Sequence, residues 1–321
     1  MSIVLSHSTA RDFYAASPPL QSLPELPEHR AKLRTSAPNN GLVATARLAL
    51  TSWNAPAIEP LHILVPCDAD RRRLEGVVCH ICSQPVQAGS LRAIGSGVFV
   101  ADIRLCALQA ATYLDRLELV EYLYEICGSY ALPLQPDGDY LERPPLTSVE
   151  ELSRYADGIA GTRGVEEFKS ALRYVRDGSR SPMETAFAML LVLPKRFGGL
   201  GIRDMEMNYR VQVTGRARAL TRRKELFFDA YHAGSRTDFE YNGFHHDEDE
   251  RRVIDEERRS ALASMGYGII EVSRGSIMVP ANFKRCMSTI MRRVGIRPSR
   301  LPDGFEQKQE ELRRFVLRRW L

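Results

Sequence analysis

The fold of the C-terminal half is decided by five stretches: SPMETAFAMLLVL (181–193), MEMNYRVQV (205–213), ELFFDAYH (225–232), RTDFEYNG (236–243) and YGIIEVS (267–273). Ser181 can cap a helix that has proline at its first position and runs through apolar residues. The next three stretches are typical of strands. A helix is expected from about residue 250 to 265, closed by Gly266, before the fourth, buried strand. The sequence therefore predicts the element order α-β-β-β-α-β.

Acidic side chains recur on the strands of this segment. Alternation in the third strand puts Asp238, Glu240 and Asn242 on one face. Hairpin pairing would bring Asp229, in the preceding strand, beside Glu240, so that the two carboxylates jointly bind a divalent cation such as Mg²⁺ or Mn²⁺. The alternative is a pair of surface acids neutralised by Arg222 or Arg236. Glu184, in the first helical turn, is explained by the helix dipole alone.

Positive charge concentrates in the same half of the chain. From residue 181 onward there are 26 lysines and arginines against 19 acids, a net charge of +7, which leaves −3 for the first 180 residues. The loop before the second strand carries five cations that are candidates for nucleic-acid binding: Arg216, Arg218, Arg222, Arg223 and Lys224. The alternative is a solvated hairpin tip without function.

These motifs together resemble a known family. SPMET, FFDAY, EYNG followed by two histidines, the helix with Asp255 and paired arginines, and GYGIIEVS are similar to the endonuclease-like domain related to very-short-patch-repair endonucleases, in the PD-(D/E)XK superfamily. The resemblance covers residues 181–280. It implies a restriction-endonuclease-like fold, so that the predicted fold class is α/β, with this core following a smaller N-terminal α+β domain.

The resemblance also implies roles for particular residues. Asp229 and Glu240 would be metal ligands, Glu184 an accessory acid, and His245 or His246 a proton-transfer or phosphate-contacting group. The alternative for the two histidines is a polar turn after a strand. Asn242 departs from the pattern, because relatives carry an acid there and the wider superfamily a lysine. An amide supplies neither negative charge nor a proton acceptor.

The N-terminal half is predicted to be organised differently. Residues 1–40 are rich in serine and proline and favour an extended lead-in, and 41–132 a small α+β domain. Residues 133–180 are expected to be a linker and helices, 181–295 the nuclease-like domain, and 296–321 a C-terminal basic helix. Its apolar side is as consistent with docking as its arginines are with DNA binding.

A CxxC pair, Cys79 and Cys82, lies in this half. A structural zinc site needs four ligands, and only Cys67, His80 and Cys106 are near in sequence. Alternation of residues 77, 79 and 81 instead favours small buried residues in a strand.

The segment from LHILVP (61–66) to the helical RLCALQAATYLDRLELVEYLYEICG (104–128) resembles the middle of abortive-infection type IV antitoxins. That resemblance implies a regulatory, toxin–antitoxin-like context. No apolar run is long enough to span a membrane, so we expect a cytoplasmic protein. The expected function is a metal-dependent DNA endonuclease in defence or repair. The alternatives are a catalytically inactive nucleic-acid-binding or regulatory protein, and a protein-binding module.

Overall fold

A computed structural model describes residues 2–16, 33, 35–134, 138–242 and 249–320, and the side chains of residues 249–253 are outside that description. The chain is mixed α/β, as predicted, and divides into two compact units, Met1–Val175 and Arg176–Leu321. The division falls within the segment expected to be a linker with helices. Of the described helices, none is long and apolar enough to cross a bilayer.

Unit 1 is built around a mixed sheet. Its elements are β1 (Ile3–Leu5), α1 (His7–Ala15), α2 (Asn40–Ser52), β2 (Leu61–Val65), β3 (Val77–Ile81), β4 (Leu91–Gly95), β5 (Val98–Ala101), α3 (Ile103–Ala110), α4 (Arg116–Cys127), β6 (Tyr130–Ala131), β7 (Leu141–Glu142), α5 (Val149–Asp157) and α6 (Val165–Leu172). Five strands form the sheet, in the order β3-β2-β1-β5-β4, and β6 and β7 form a separate pair.

The central strand of this sheet is β1, whereas the sequence predicted an extended lead-in for residues 1–40. The three residues of β1 are buried between antiparallel β2 and parallel β5, and α1 packs its buried Phe13 and Tyr14 inward. The remainder of the predicted lead-in up to residue 32 lies outside the described residues. The start of the chain is therefore part of the core of unit 1.

Local sequence signals account for the ends of two helices in unit 1. Helix α4 is followed by Gly128, and Ser148 caps α5 by accepting a hydrogen bond from the backbone of Glu151. The strand predicted around Cys79 is β3, at the sheet edge. Because an edge strand has one open side, Cys79 is only half-buried and Ile81 is 47% exposed, which differs from the buried strand expected.

Unit 2 has the predicted order of elements. They are α7 (Pro182–Val192), β8 (Met205–Gln212), β9 (Glu225–His232), β10 (Thr237–Asn242), α8 (Asp249–Ser264), β11 (Gly268–Ser273), α9 (Arg274–Met278), α10 (Pro280–Arg293) and α11 (Phe305–Leu317). The sheet order is β11-β10-β9-β8; β9 is antiparallel to both β8 and β10, and β11 is parallel to β10.

Two cores hold unit 2 together. Between the sheet and α8, Phe228 and Leu226 of β9 lie in one cluster with Ala261 and Leu262. Helix α7 is buried along almost its whole length, and α11 packs against it with Leu312 and Val316 buried. The C-terminal helix is therefore docked onto its own unit. Its Arg313 is buried and donates to the carbonyls of Ile277 and Met278, whereas Arg314 remains exposed.

A turn with two glycines, Gly198 and Gly199, lies close to the main chain at the end of α7 and the start of α11. Gly198 has φ +91°, a conformation that favours glycine, and a Cβ atom there would collide with the backbone of Lys308 at the start of α11. A Cβ atom on Gly199 would collide with the carbonyl of Leu193, just after α7. Both glycines are needed because main chains approach closely here.

Candidate functional site

Four carboxylates from α7, β9 and β10 interact at one place in unit 2, and we call them the carboxylate cluster: Glu184, Asp229, Asp238 and Glu240. The pairing of β10 with β9 sets Thr237 opposite His232 and Asp238 opposite Tyr231. Beyond these pairs the two strands are connected through side chains, because Asp229 accepts a hydrogen bond from the backbone of Tyr241. Negative charge on Glu240 raises the pKa of Asp229, after the larger effect of burial, so the predicted neighbours do interact.

Asp229 is held by the backbone of the next strand. Its Oδ2 atom accepts a hydrogen bond from the backbone N–H of Tyr241 at 2.9 Å. Burial raises the pKa of Asp229, and this hydrogen bond counteracts part of that effect. The carboxylate is therefore anchored through one oxygen beside Glu240.

Glu184 joins the cluster from the first turn of α7. Ser181 accepts a hydrogen bond from its backbone N–H and donates one to Oε1, both at 3.2 Å, while Oε2 accepts from the N–H of Arg180 at 2.9 Å. Burial raises the pKa of Glu184 to about 7, and the charge of Asp229 contributes to the increase. Glu184 thus stabilises the N-terminus of α7, as the helix-dipole explanation expected, and also interacts with the other carboxylates of the cluster.

Asp238 is the most deeply buried member. Its side chain is 0% exposed, and Oδ1 accepts a hydrogen bond from the backbone N–H of Ala230 at 3.4 Å. Burial raises the pKa of Asp238 to about 8, and the nearby Arg258 guanidinium offsets only part of that effect. The sequence had placed Asp238 on the face of Glu240 without giving it a role.

Arg258 of α8 is the cation that bridges the cluster. Its guanidinium donates to Glu240 Oε2 at 2.5 Å, to Asp238 Oδ2 at 3.1 Å and to the carbonyl of Phe227 at 2.9 Å. The side chains of Arg258 and Glu240 are only 12% and 22% exposed. Charge-assisted bonds at these distances make Arg258 the main internal counter-ion of the cluster.

The alternative interpretation had assigned this neutralising role to Arg222 or Arg236, and it was wrong. Arg222 is exposed in the loop before β9, whereas Arg236 donates to the carbonyls of Met265 and Gly266 and lies over the ring of Tyr267. Sequence reasoning missed Arg258. A signal was available, because Arg258 lies three and four residues before the buried Ala261 and Leu262, on the same helix face.

A second cation lies next to the carboxylates. Positive charge on Arg180, which is exposed, lowers the pKa of both Glu184 and Asp229, against the larger effect of burial. Its guanidinium lies 6.0 Å from the centre of the Phe227 ring. Unlike Arg258, this cation remains accessible to a ligand.

Asn242 is the last residue of β10, half-buried and in register with Ser273 of β11. It is on the strand as predicted, two residues after Glu240. His245 and His246, predicted as proton-transfer or phosphate-contacting groups, lie outside the described residues. Their proposed roles stay predictions.

The five basic residues proposed for nucleic-acid binding are all exposed: Arg216, Arg218, Arg222, Arg223 and Lys224. The first two lie in a short 3-10 turn after β8, Gly215–Ala219, and the other three follow that turn. Buried Ala217 anchors the turn in the core beneath α8. Among the described residues, none forms an ion pair with these five side chains. Their charge is therefore open to solvent.

A protein metal site needs several ligating side chains at one place. Within the described ranges, no three or more histidine, cysteine, aspartate or glutamate residues are arranged to hold a metal ion. Asp229 and Glu240 provide two hard oxygen ligands, the type that Mg²⁺ uses, but Glu240 already binds Arg258. The donor chemistry fits Mg²⁺, provided that Glu240 is released.

The cysteines considered as zinc ligands each contact a different group. Cys67 is exposed and contacts Asp70, the thiol of Cys79 lies near the carbonyl of Arg72, and buried Cys106 contacts the hydroxyl of Tyr122.

Comparisons of the whole chain found no match to any protein family, curated protein or solved structure. The assignment of function therefore depends on the site itself.

Proposed function

We propose that unit 2 is a PD-(D/E)XK nuclease-like domain, and that the protein is a Mg²⁺- or Mn²⁺-dependent DNA endonuclease. One observation carries this proposal. Glu184, Asp229 and Glu240, from the first helix and the second and third strands of an α-β-β-β-α-β unit, interact electrostatically at one place. Partly buried carboxylates that repel one another are costly unless a cation joins them.

The side chains support individual parts of phosphodiester hydrolysis. Asp229 and Glu240 would hold the metal ion. When bound, the ion would polarise the phosphodiester and lower the pKa of a water molecule. Glu184, with a pKa of about 7, can accept or return a proton near neutral pH. Arg180 and the exposed basic loop are suited to hold flanking phosphates.

Arg258 is the present partner of one proposed metal ligand. Its bond to Glu240 neutralises that carboxylate. Metal binding would require Glu240 to exchange the guanidinium for the ion, while Asp238 retains Arg258. The balance between these two partners would set the metal affinity.

A second candidate is a catalytically inactive DNA-binding protein of the same fold. Two observations favour it: Arg258 already satisfies Glu240, and Asn242 offers no charge where the superfamily has a lysine. The basic loop would serve binding equally well without turnover. Metal dependence of cleavage separates the two candidates, because only the first needs the carboxylates for chemistry.

The test is cleavage of plasmid and single-stranded DNA with Mg²⁺ or Mn²⁺. The wild type is compared with Asp229→Asn and Glu240→Gln, because an amide oxygen at position 229 can still accept the hydrogen bond from Tyr241. Glu206→Gln, an exposed acid on β8, is the matched control. We expect metal-dependent cleavage in the wild type and the control, and its loss in both site variants.

Salt-sensitive DNA binding without cleavage would favour the inactive candidate. In that case Asn242→Lys, which adds the missing positive charge, is expected to restore some metal-dependent cleavage. Cleavage that persists in Asp229→Asn and Glu240→Gln would contradict the proposed site. Absence of both binding and cleavage would contradict both candidates.

A further inference from the structure

Three histidines from separate parts of the sequence meet in unit 1, whereas the residues proposed for catalysis belong to unit 2. His62 lies on β2 and His80 on β3, and the parallel register pairs His80 with Leu64. Because alternate residues share a face, His62 and His80 project from the same side of the sheet. His7 is the first residue of α1, directly after β1.

Several bonds fix His7 at this place. Its backbone N–H donates to Gln109 Oε1 at 2.9 Å, and the N–H of the preceding Ser6 donates to the carbonyl of His62 at 2.8 Å. His7 has φ +49°, in the left-handed region that residues other than glycine rarely adopt. Such conformations persist where surrounding contacts enforce them, and they are concentrated at functional sites.

The three imidazole rings are in direct contact. The rings of His7 and His80 stack with centroids 3.5 Å apart and an interplanar angle of 14°. The Nδ1 atom of His62 lies 2.8 Å from Nε2 of His80, so one of these nitrogens donates a hydrogen bond to the other. Imidazole lone pairs lie in the ring plane, and near-parallel stacked rings cannot direct theirs at one shared metal ion. The arrangement therefore does not suit a metal.

Positive charge reaches the rings from two loops. Arg163, between α5 and α6, acts on both His7 and His80, and Arg71, after β2, acts on His80. Both arginines are exposed. Arg163 is positioned by the next residue, Gly164, where a Cβ atom would come within 2.8 Å of Thr112 at the end of α3. The loop is thus pressed against the body of unit 1.

Among the described residues, no carboxylate acts on the three rings. Burial, followed by the neighbouring histidines and arginines, lowers the pKa of His7 to about 3 and that of His80 to about 4, and burial lowers the pKa of His62. Tyr113, with its ring 6.0 Å from that of His7, and Cys106, whose Sγ atom lies 3.9 Å from the carbonyl of His7, are further titratable groups nearby. Exposed Asp68 pairs with Arg71 at 3.3 Å.

We propose that His7, His62 and His80, together with Arg71 and Arg163, form a binding site for a tetrahedral oxyanion, a phosphate or sulfate group. The three imidazoles come from β2, β3 and α1, and the two guanidiniums come from loops whose positive charge acts on the rings. Imidazole and guanidinium N–H groups that are not already bonded within the cluster can donate to oxygen. An oxyanion supplies the negative charge that the cluster lacks. This site is in unit 1 and does not depend on the nuclease proposal.

The pH dependence follows from the same geometry. An anion within ~4–6 Å stabilises a protonated imidazole and would raise the pKa of His80 from about 4 to ~6. Protonated histidine is then favoured in the complex, so binding strengthens as pH falls. With these two values the affinity is about tenfold higher at pH ~5 than at pH ~8.

Sulfate is the appropriate first probe, because it remains a dianion throughout this range, whereas phosphate itself titrates with a pKa near ~6. Sulfate is titrated into the full-length protein at constant ionic strength, with chloride as the balancing salt. The imidazole ¹⁵N resonances of the three histidines report binding. The same titration is run at both pH values.

Two variants test the arginines. Arg163→Gln removes an exposed cation of the cluster and is expected to weaken sulfate binding at least several-fold. The control is the Arg72→Gln variant, which changes an exposed neighbour of Arg71 that does not act on the rings. This variant is expected to bind sulfate as the wild type does.

Competition with sulfate identifies the source of the oxyanion. Inorganic phosphate, a nucleoside monophosphate and the free nucleoside are each added as competitors. Tighter binding of inorganic phosphate indicates free phosphate as the ligand, and tighter binding of the nucleoside monophosphate indicates a phosphate ester.

The proposal is supported by histidine shifts that saturate, strengthen at low pH and weaken in Arg163→Gln. Equal shifts with chloride alone would overturn it, as would equal affinity at the two pH values. Competition by the free nucleoside, or loss of binding in Arg72→Gln equal to that in Arg163→Gln, would also overturn it, because neither result follows from recognition of an oxyanion by this cluster.

Discussion

Replacing Arg258 with methionine tests the organisation of the carboxylate cluster. Methionine retains the length and apolar packing of the arginine stem but removes the guanidinium. Glu240 and Asp238 then lose their shared cation, and the carbonyl of Phe227 loses its donor. The variant therefore leaves two poorly exposed carboxylates facing each other without compensation.

The expected loss of unfolding free energy is large. Removing one partner of a buried ion pair costs about 3–5 kcal/mol, because the remaining charge stays out of water. Asp238 is fully buried and Glu240 is 22% exposed, so the loss should lie toward the lower end of that range. Neutralising the acids as well, in the triple variant with Asp238→Asn and Glu240→Gln, should recover much of the loss.

The assay is urea denaturation of the full chain, with amide hydrogen exchange in β9 and β10 as the segment-resolved measurement. If the carboxylates also bind Mg²⁺, the ion at about 10 mM should stabilise Arg258→Met more than the wild type, since the competing guanidinium is gone. A loss below about 1 kcal/mol, or a triple variant no more stable than the single one, would refute the counter-ion role.

Three further outcomes are expected. Burial raises the pKa of Glu184 from 4.5 to about 7, so the folded state holds its proton longer than the unfolded state. Relative to Glu184→Gln, the wild type should lose stability as pH rises through that window, and parallel denaturation curves would contradict this. Replacing Arg222 and Arg223 with glutamine should reduce the slope of log affinity for DNA against log salt by about 2, and an unchanged slope would exclude phosphate contacts there. Asp115 caps α4 through the N–H groups of two residues, so Asp115→Ala should cost about 1 kcal/mol in thermal or urea unfolding; no loss would show that the cap is unimportant.

Local signals predicted most of unit 2. Ser181 and Pro182 mark the start of α7, the alternating runs mark the strands, and Gly266 follows α8. Each of these features depends on residues adjacent in sequence, where capping and side-chain alternation dominate. The interaction of Asp229 with Glu240 was also predictable, because a hairpin sets the register between neighbouring strands.

Features that depend on distant partners were not predictable in the same way. The strand Ile3–Leu5 is too short to show a period, and it exists because β2 and β5 pair with it on either side. Arg258 reaches the cluster from a helix that follows the carboxylate strands, so its partners become evident only when the sheet and helix pack together. The meeting of His7 with His62 and His80 spans more than fifty residues of chain, and no local pattern indicated it.

The turn at Gly198 and Gly199 constrains how this protein can vary. A methyl group at either position would meet main-chain atoms, of Lys308 in one case and Leu193 in the other, and a backbone cannot move aside as a flexible side chain can. In a library of all single substitutions selected for folded protein, both positions should retain glycine alone. The adjacent Arg196 should accept many residue types. The main chain, rather than any side chain, therefore fixes the residue type at these two positions.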